Sequence, residues 1–116
     1  MQKKKSLNPI PLSLRDRKRY IVFEVLSEKK FSEQEAMQAM NKTFLQLFGE
    51  IGLSKMNYSN VLFDSKNNKG IVKTNNDSLA EARSGILFLK SVAGIEVIPK
   101  ILYVSGTINK AKSKMK

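Results

Sequence analysis

Two copies of one four-residue signal set the architecture open to this chain: Ser32-Glu33-Gln34-Glu35 and Ser78-Leu79-Ala80-Glu81 each place a serine three residues ahead of a glutamate. Such a box starts a helix, because the serine oxygen accepts an early backbone N–H while the glutamate reaches back to the serine's own. After the first box, Met37, Met40, Phe44, Phe48 and Ile51 recur at intervals of three and four until Gly49 and Gly52 supply stop signals. After the second, Leu79, Ala82, Ile86, Leu89 and Ala93 form a stripe that Gly94 ends. Met37 and Met40 read as gap-filling core. A mid-helix glycine costs up to ~1 kcal/mol relative to alanine, so Gly85 implies a close packing contact.

The segments around the boxes have strand character. Lys18 opens the run Arg19-Tyr20-Ile21-Val22-Phe23-Glu24-Val25-Leu26, rich in β-branched and aromatic residues. Val61-Leu62-Phe63 and Ile71-Val72-Lys73-Thr74 flank the turn chemistry of Lys66-Asn67-Asn68-Lys69-Gly70. Residues 95–98 and 101–105 make a last long strand that Pro99 restricts to an edge or a bulge. The order β-α-β-β-α-β predicts an α+β, ferredoxin-like (RRM-like) two-layer sandwich with a four-stranded antiparallel sheet, both helices on one face and the other face free. On a period of two, Ile21, Phe23 and Val25 face the helices, while Tyr20, Val22, Glu24 and Leu26 take the open side. The first and third strands are central in this topology, which puts Tyr20, Glu24, Ile71 and Lys73 near the middle of that side.

Charge divides the chain into three. Residues 1–20 carry +6, residues 100–116 carry +5, and residues 21–99 balance nine bases with nine acids, so the whole +11 belongs to the two ends. The organisation expected is a basic arm over 1–17, a ferredoxin-like domain over 18–107 and a basic tail over 108–116. As an extended strip the tail would present its lysines along one edge at ~7 Å intervals, near the spacing of backbone phosphates; as a helix they would not share a face. A like-charge cluster such as Arg15-Asp16-Arg17-Lys18-Arg19 is self-repulsive and adds nothing to folding alone. If the fold joins the two ends, they make one polyanion-binding surface, and the polyanion expected is nucleic acid.

Several other chemistries are remote. With no cysteine there is no disulfide, thiolate or Cys-based zinc site, and with no histidine the commonest general base and metal ligand is missing. No apolar run approaches the ~18 residues needed to cross a bilayer, so no membrane partner and a cytoplasmic location are expected. Gly70-Ile71-Val72-Lys73-Thr74 holds no aromatic residue, so stacking of bases on the central strands should not dominate. Glu24 and Asp64 are the acids a metal-dependent enzyme on this topology would use, and the third strand should separate them.

Arg15-Asp16-Arg17-Lys18-Arg19-Tyr20-Ile21-Val22-Phe23-Glu24, Phe48-Gly49-Glu50-Ile51-Gly52, Phe63-Asp64, Lys69-Gly70-Ile71-Val72-Lys73 and Val104-Ser105-Gly106-Thr107-Ile108-Asn109-Lys110-Ala111-Lys112 occur in order at fitting distances. Together they resemble the archaeal ribonuclease P protein component 2 family, counterpart of a eukaryotic ribonuclease P and MRP subunit, from about Leu12 to Lys114. Asn75-Asn76, Asn109 and Ser113 depart from the more basic pattern of that family. The resemblance implies a noncatalytic subunit of an endoribonuclease. It would bind ribonuclease P RNA and ribonuclease P protein component 3, and meet precursor tRNA through the complex. The RNA would remove the 5′ leader using Mg2+, with no cofactor bound by the protein. Candidate phosphate contacts are Arg15, Arg17, Lys18, Arg19, Lys73, Lys110 and Lys112, with Tyr20, Ser105 and Thr107 as hydrogen-bond donors beside them. The alternatives are an RNA-binding module of another ribonucleoprotein, such as a ribosomal one, and a regulatory or metal-dependent ferredoxin-like domain.

Overall fold

In the computed structural model, which describes residues 17–115, the first strand β1 runs over Lys18–Leu26. Its odd positions Ile21, Phe23 and Val25 enter the main core, as the period of two requires. Ser32 then caps α1, Glu33–Met56, with both arms of the box formed: the Glu35 N–H donates to Ser32 Oγ at 3.1 Å and the Ser32 N–H donates to Glu35 Oε1 at 3.0 Å. Ala36, Met40 and Phe44 are buried along its inner face, and Phe48 packs against them.

Gly49 does not end this helix. It leaves helical geometry at φ 70°, ψ 174°, a left-handed excursion that favours glycine, and the helix resumes to Met56. The kink re-phases the stripe: Ile51 is 75% exposed, whereas Leu53 and Met56 turn to the core. The helix closes at Asn57, itself left-handed at φ 52°.

The hairpin of β2, Ser59–Asp64, and β3, Lys69–Asn75, follows. Its turn is held by Asp64, whose carboxylate accepts the Lys66 N–H and the Asn67 side-chain amide, and these bonds hold its pKa below the usual carboxylate value. Buried Asn68 fastens the turn to the β1–α1 loop, accepting from the Phe31 N–H and donating to the Lys29 carbonyl.

The second box is not made. Ser78 forms no side-chain cap; Asn75 Oδ1 accepts the Ser78 N–H at 2.9 Å, starting a 3-10 turn over Asn76–Ser78 that leads into α2, Leu79–Leu87. The Asn75 amide also donates to the Lys55 carbonyl at 2.7 Å, so one side chain serves the end of α1 and the approach to α2. This explains the first departure from the basic pattern: a lysine at 75 has no acceptor for the Ser78 N–H. Asn75→Ala should cost about 1–3 kcal/mol, read as a lower urea midpoint at unchanged slope.

The helix α2 ends well before Gly94. Residues 91–96 form a small hairpin of β4, Ser91–Val92, and β5, Ile95–Glu96, around Ala93 and Gly94, both at positive φ. The sixth strand, β6, Ile98–Ser105, lies at the sheet edge with Pro99 opposite Val25. Consecutive residues Val22 and Phe23 pair with Tyr103 and Ile101, leaving Leu102 in a bulge. Strand order is β2-β3-β1-β6, all antiparallel, the ferredoxin-like order with β1 and β3 central.

The basic tail expected over 108–116 forms a helix, α3, Ile108–Ser113, rather than an extended strip, and the sheet face expected to be free is partly covered by it. Ala111 (0% exposed) and Met115 (7%) join Val22 and Ile71 in a second cluster, with Ile108, Leu102 and Tyr103 packed around it. Ile108, Ala111 and Met115 stand three and four apart, the spacing that brings side chains to one helix face. Lys116 lies outside the described residues.

Candidate nucleic-acid interface

The register brings the two basic ends together at their roots. Tyr20 pairs with Lys73 on one side and Ser105 on the other, and Lys73 pairs with Ser59, so Ser59, Lys73, Tyr20 and Ser105 form one row across the sheet. Paired residues point to the same face, here the side carrying α3. Lys18 lies two residues further along β1, opposite Asn75. Arg19 has the other parity; its Nη1 donates to the Lys18 carbonyl at 3.0 Å. A Cβ on Gly106 would stand 3.5 Å from the same nitrogen, so the start of β1 and the turn after β6 are direct neighbours.

The candidates differ in what remains available on them. Arg17 and Lys18 are exposed and Arg19, Tyr20 and Lys73 half-buried, while Arg15 lies outside the described residues with the rest of the arm up to residue 16. Ser105 is buried, and its hydroxyl donates to the Thr107 carbonyl while accepting the Thr107 N–H. Thr107 Oγ1 accepts the Lys110 N–H as the cap of α3. Ser105 and Thr107 thus build the platform on which the tail lysines stand. Lys110 and Lys112 are exposed on opposite flanks of α3, and Lys114 Nζ sits 4.9 Å from the centroid of Tyr103, a cation–π contact. Tyr103 was invisible as a site residue in the sequence, because only the register reveals it beneath α3.

The opposite end of this sheet face is different in kind. Asp64, Lys69, Glu24 and Lys100 form a row of alternating charge, so Lys100 belongs to a balanced surface and not to the basic end. Glu24 and Asp64 are two strands apart with Lys69 between them, about 10 Å at ordinary strand spacing. Among the described residues no three acids come together as a metal cluster.

What this geometry can do is bind anions along one end of a sheet, by charge and shape. Tyr20 is half-buried and packs beside the α3 cluster, so part of its surface is already taken up by the fold. No helix among the described residues is long and apolar enough to cross a membrane.

Comparison with known proteins points in the same direction. The family model described as the Rpp14/Pop5 family matches residues 19–116. The chain is similar to ribonuclease P protein component 2 of Archaeoglobus fulgidus, 37% identical over 105 residues that cover 90% of this chain and 94% of that protein. It is similar also to component 2 of Pyrococcus furiosus, 33% identical with 90% and 88% covered. A chain of the cryo-EM structure of yeast ribonuclease MRP superposes with a TM-score of 0.63 at 17% identity, covering 90% of this chain and 79% of its own, a likeness of fold.

Proposed function

Because the chain belongs to the Rpp14/Pop5 family, we propose that it is an RNA-binding protein subunit of ribonuclease P, supporting the catalytic RNA that removes the 5′ leader of precursor tRNA. The observation that carries this reading is the meeting of two basic segments at one end of the sheet, where Tyr20 lies between Lys73 and Ser105. Folded RNA brings phosphates close together, and their repulsion opposes the compact form that performs catalysis. Cations held on a rigid edge lower that repulsion without first having to be ordered themselves. The protein supplies counter-charge; the hydrolytic chemistry and its Mg2+ lie with the RNA. In this reading the chain works in the cytoplasm beside ribonuclease P protein component 3 and meets precursor tRNA through the assembled particle.

Reconstitution tests this. Precursor-tRNA cleavage by the RNA and component 3 should rise when this chain is added at low magnesium, and Glu24→Gln, Asp64→Asn together should leave that rise near normal. If five to seven phosphates are engaged, log K should fall against log salt with a slope of roughly −4 to −6. Affinity that does not change over a tenfold salt range rejects the mechanism. Recovery of ribosomal RNA without ribonuclease P RNA in a pull-down would point to a different ribonucleoprotein.

A further inference from the structure

Beside the row of Ser59, Lys73 and Tyr20, where α1 gives way to β2, lies a recess of about 380 Å³ lined by Lys18, Lys73, Asn57, Ser59, Tyr58, Thr74 and Asn75. None of these residues is acidic. The end of a helix carries partial negative charge, which would oppose an anion here. That charge is answered within the fold. The Leu53 carbonyl accepts the N–H groups of Asn57 and Tyr58, the Ser54 carbonyl accepts the Asn57 N–H, the Lys55 carbonyl accepts the Asn75 amide, and the Met56 carbonyl accepts Thr74 Oγ1. Burial pushes the Tyr58 phenol above its ordinary range, against the opposing effect of its bond with Asn60, so it stays neutral, and its hydroxyl donates to Asn41.

The lining therefore has two parts. Tyr58, Thr74 and Asn75 have their polar side-chain groups occupied by the fold. Lys18 and Asn57 are exposed and Lys73 and Ser59 half-buried, and the side chains of these four have no ion-pair or hydrogen-bond partner among the described residues. Lys18 and Lys73 stand on adjacent strands two residues apart in register, with no carboxylate in the lining, and an anion seated between two such cations is attracted by both.

We propose that this recess seats a single backbone phosphate of the bound RNA, with Lys18 and Lys73 sharing its charge and Asn57 and Ser59 hydrogen-bonding its sugar-phosphate edge. The inference rests on the RNA-binding reading and adds a defined seat to it, with two residues, Asn57 and Ser59, that the charge pattern does not reveal.

The test is binding of the full chain to ribonuclease P RNA from the same organism across a salt series. A Lys18→Gln, Lys73→Gln double variant should lose about one unit of salt slope, because both lysines serve one phosphate. An Asn57→Gly, Ser59→Ala variant should bind about tenfold more weakly at unchanged slope. Glycine is suited to the φ of 52° at position 57, so that variant keeps the fold. A slope loss of two in the first variant means two separate phosphates and overturns the shared seat; an unchanged slope and affinity in both variants overturns the site. If the unsubstituted chain does not bind the RNA at all, it is the RNA-binding reading that fails, and the seat falls with it.

Discussion

Phe44→Ala is expected to lower stability by about 3–5 kcal/mol, a large part of the ~5–15 kcal/mol that holds a domain together. Phe44 is fully buried, stacks on Tyr58 at 4.3 Å between ring centroids, and meets Phe48 at 5.7 Å. Its ring also explains Gly85: a Cβ there would come within 2.7 Å of Phe44 Cζ and 2.9 Å of both Cε atoms. With Tyr58 and Phe48 against it, the ring has little room to retreat. Gly85→Ala should therefore destabilise by about 1–3 kcal/mol, although helix propensity alone favours alanine by up to ~1 kcal/mol. In the Phe44→Ala background the sign should reverse, because the new methyl enters the cavity and the propensity gain remains. Urea unfolding of the two single variants and the double variant measures this coupling. A stabilising Gly85→Ala in the otherwise unchanged chain would mean that the ring moves freely and that packing is not what keeps the glycine.

The features legible in the sequence were those encoded locally. Ile21, Phe23 and Val25 alternate because a strand alternates, and Ser32 with Glu35 closes its box because nothing competes for either group. From those elements and the rule for crossover handedness, the strand order followed. Ser78 and Glu81 carry the same letters and fail, because Asn75, buried between two helix ends, takes the Ser78 N–H first. That competition is tertiary and has no local signature. Gly49 likewise reads as a stop, yet Leu53 and Met56 find core contacts beyond it and continue the helix through a kink.

The site was legible in composition and not in arrangement. The cations at the start of β1 stand out in any reading, but the union of Tyr20, Lys73 and Ser105 in one row depends on register. Asn57 enters the recess only because α1 runs past Gly52 to Met56. In the tail, lysine at every second position has the period of an extended edge, while Ile108, Ala111 and Met115 carry the helical spacing beneath it. Thr107, three residues before Lys110, was the available signal of a helix start.

Ala111→Asp should detach the tail helix while leaving the main core folded. A carboxylate at this buried position would face Val22 and Ile71 without a partner, at a cost of several kcal/mol. The contacts of a six-residue helix cannot offset that, and so short a helix does not persist in water alone. Ile21, Phe23, Met40, Phe44 and Val72 belong to the cluster on the other side of the sheet, so cooperative unfolding should survive at a lower midpoint. Trypsin should then cut after Lys110 and Lys112 far faster than in the unsubstituted chain. RNA binding separates charge from its placement: the lysines remain, so the salt slope should hold, while affinity falls roughly tenfold because the flexible tail must be ordered on binding. Lys110→Gln with Lys112→Gln should do the opposite, keeping the helix and reducing the slope by about two. Equal slopes and equal affinities across all three proteins would show that the tail makes no contact with phosphate, and the basic end of the sheet would then have to act through β1 and β3 alone.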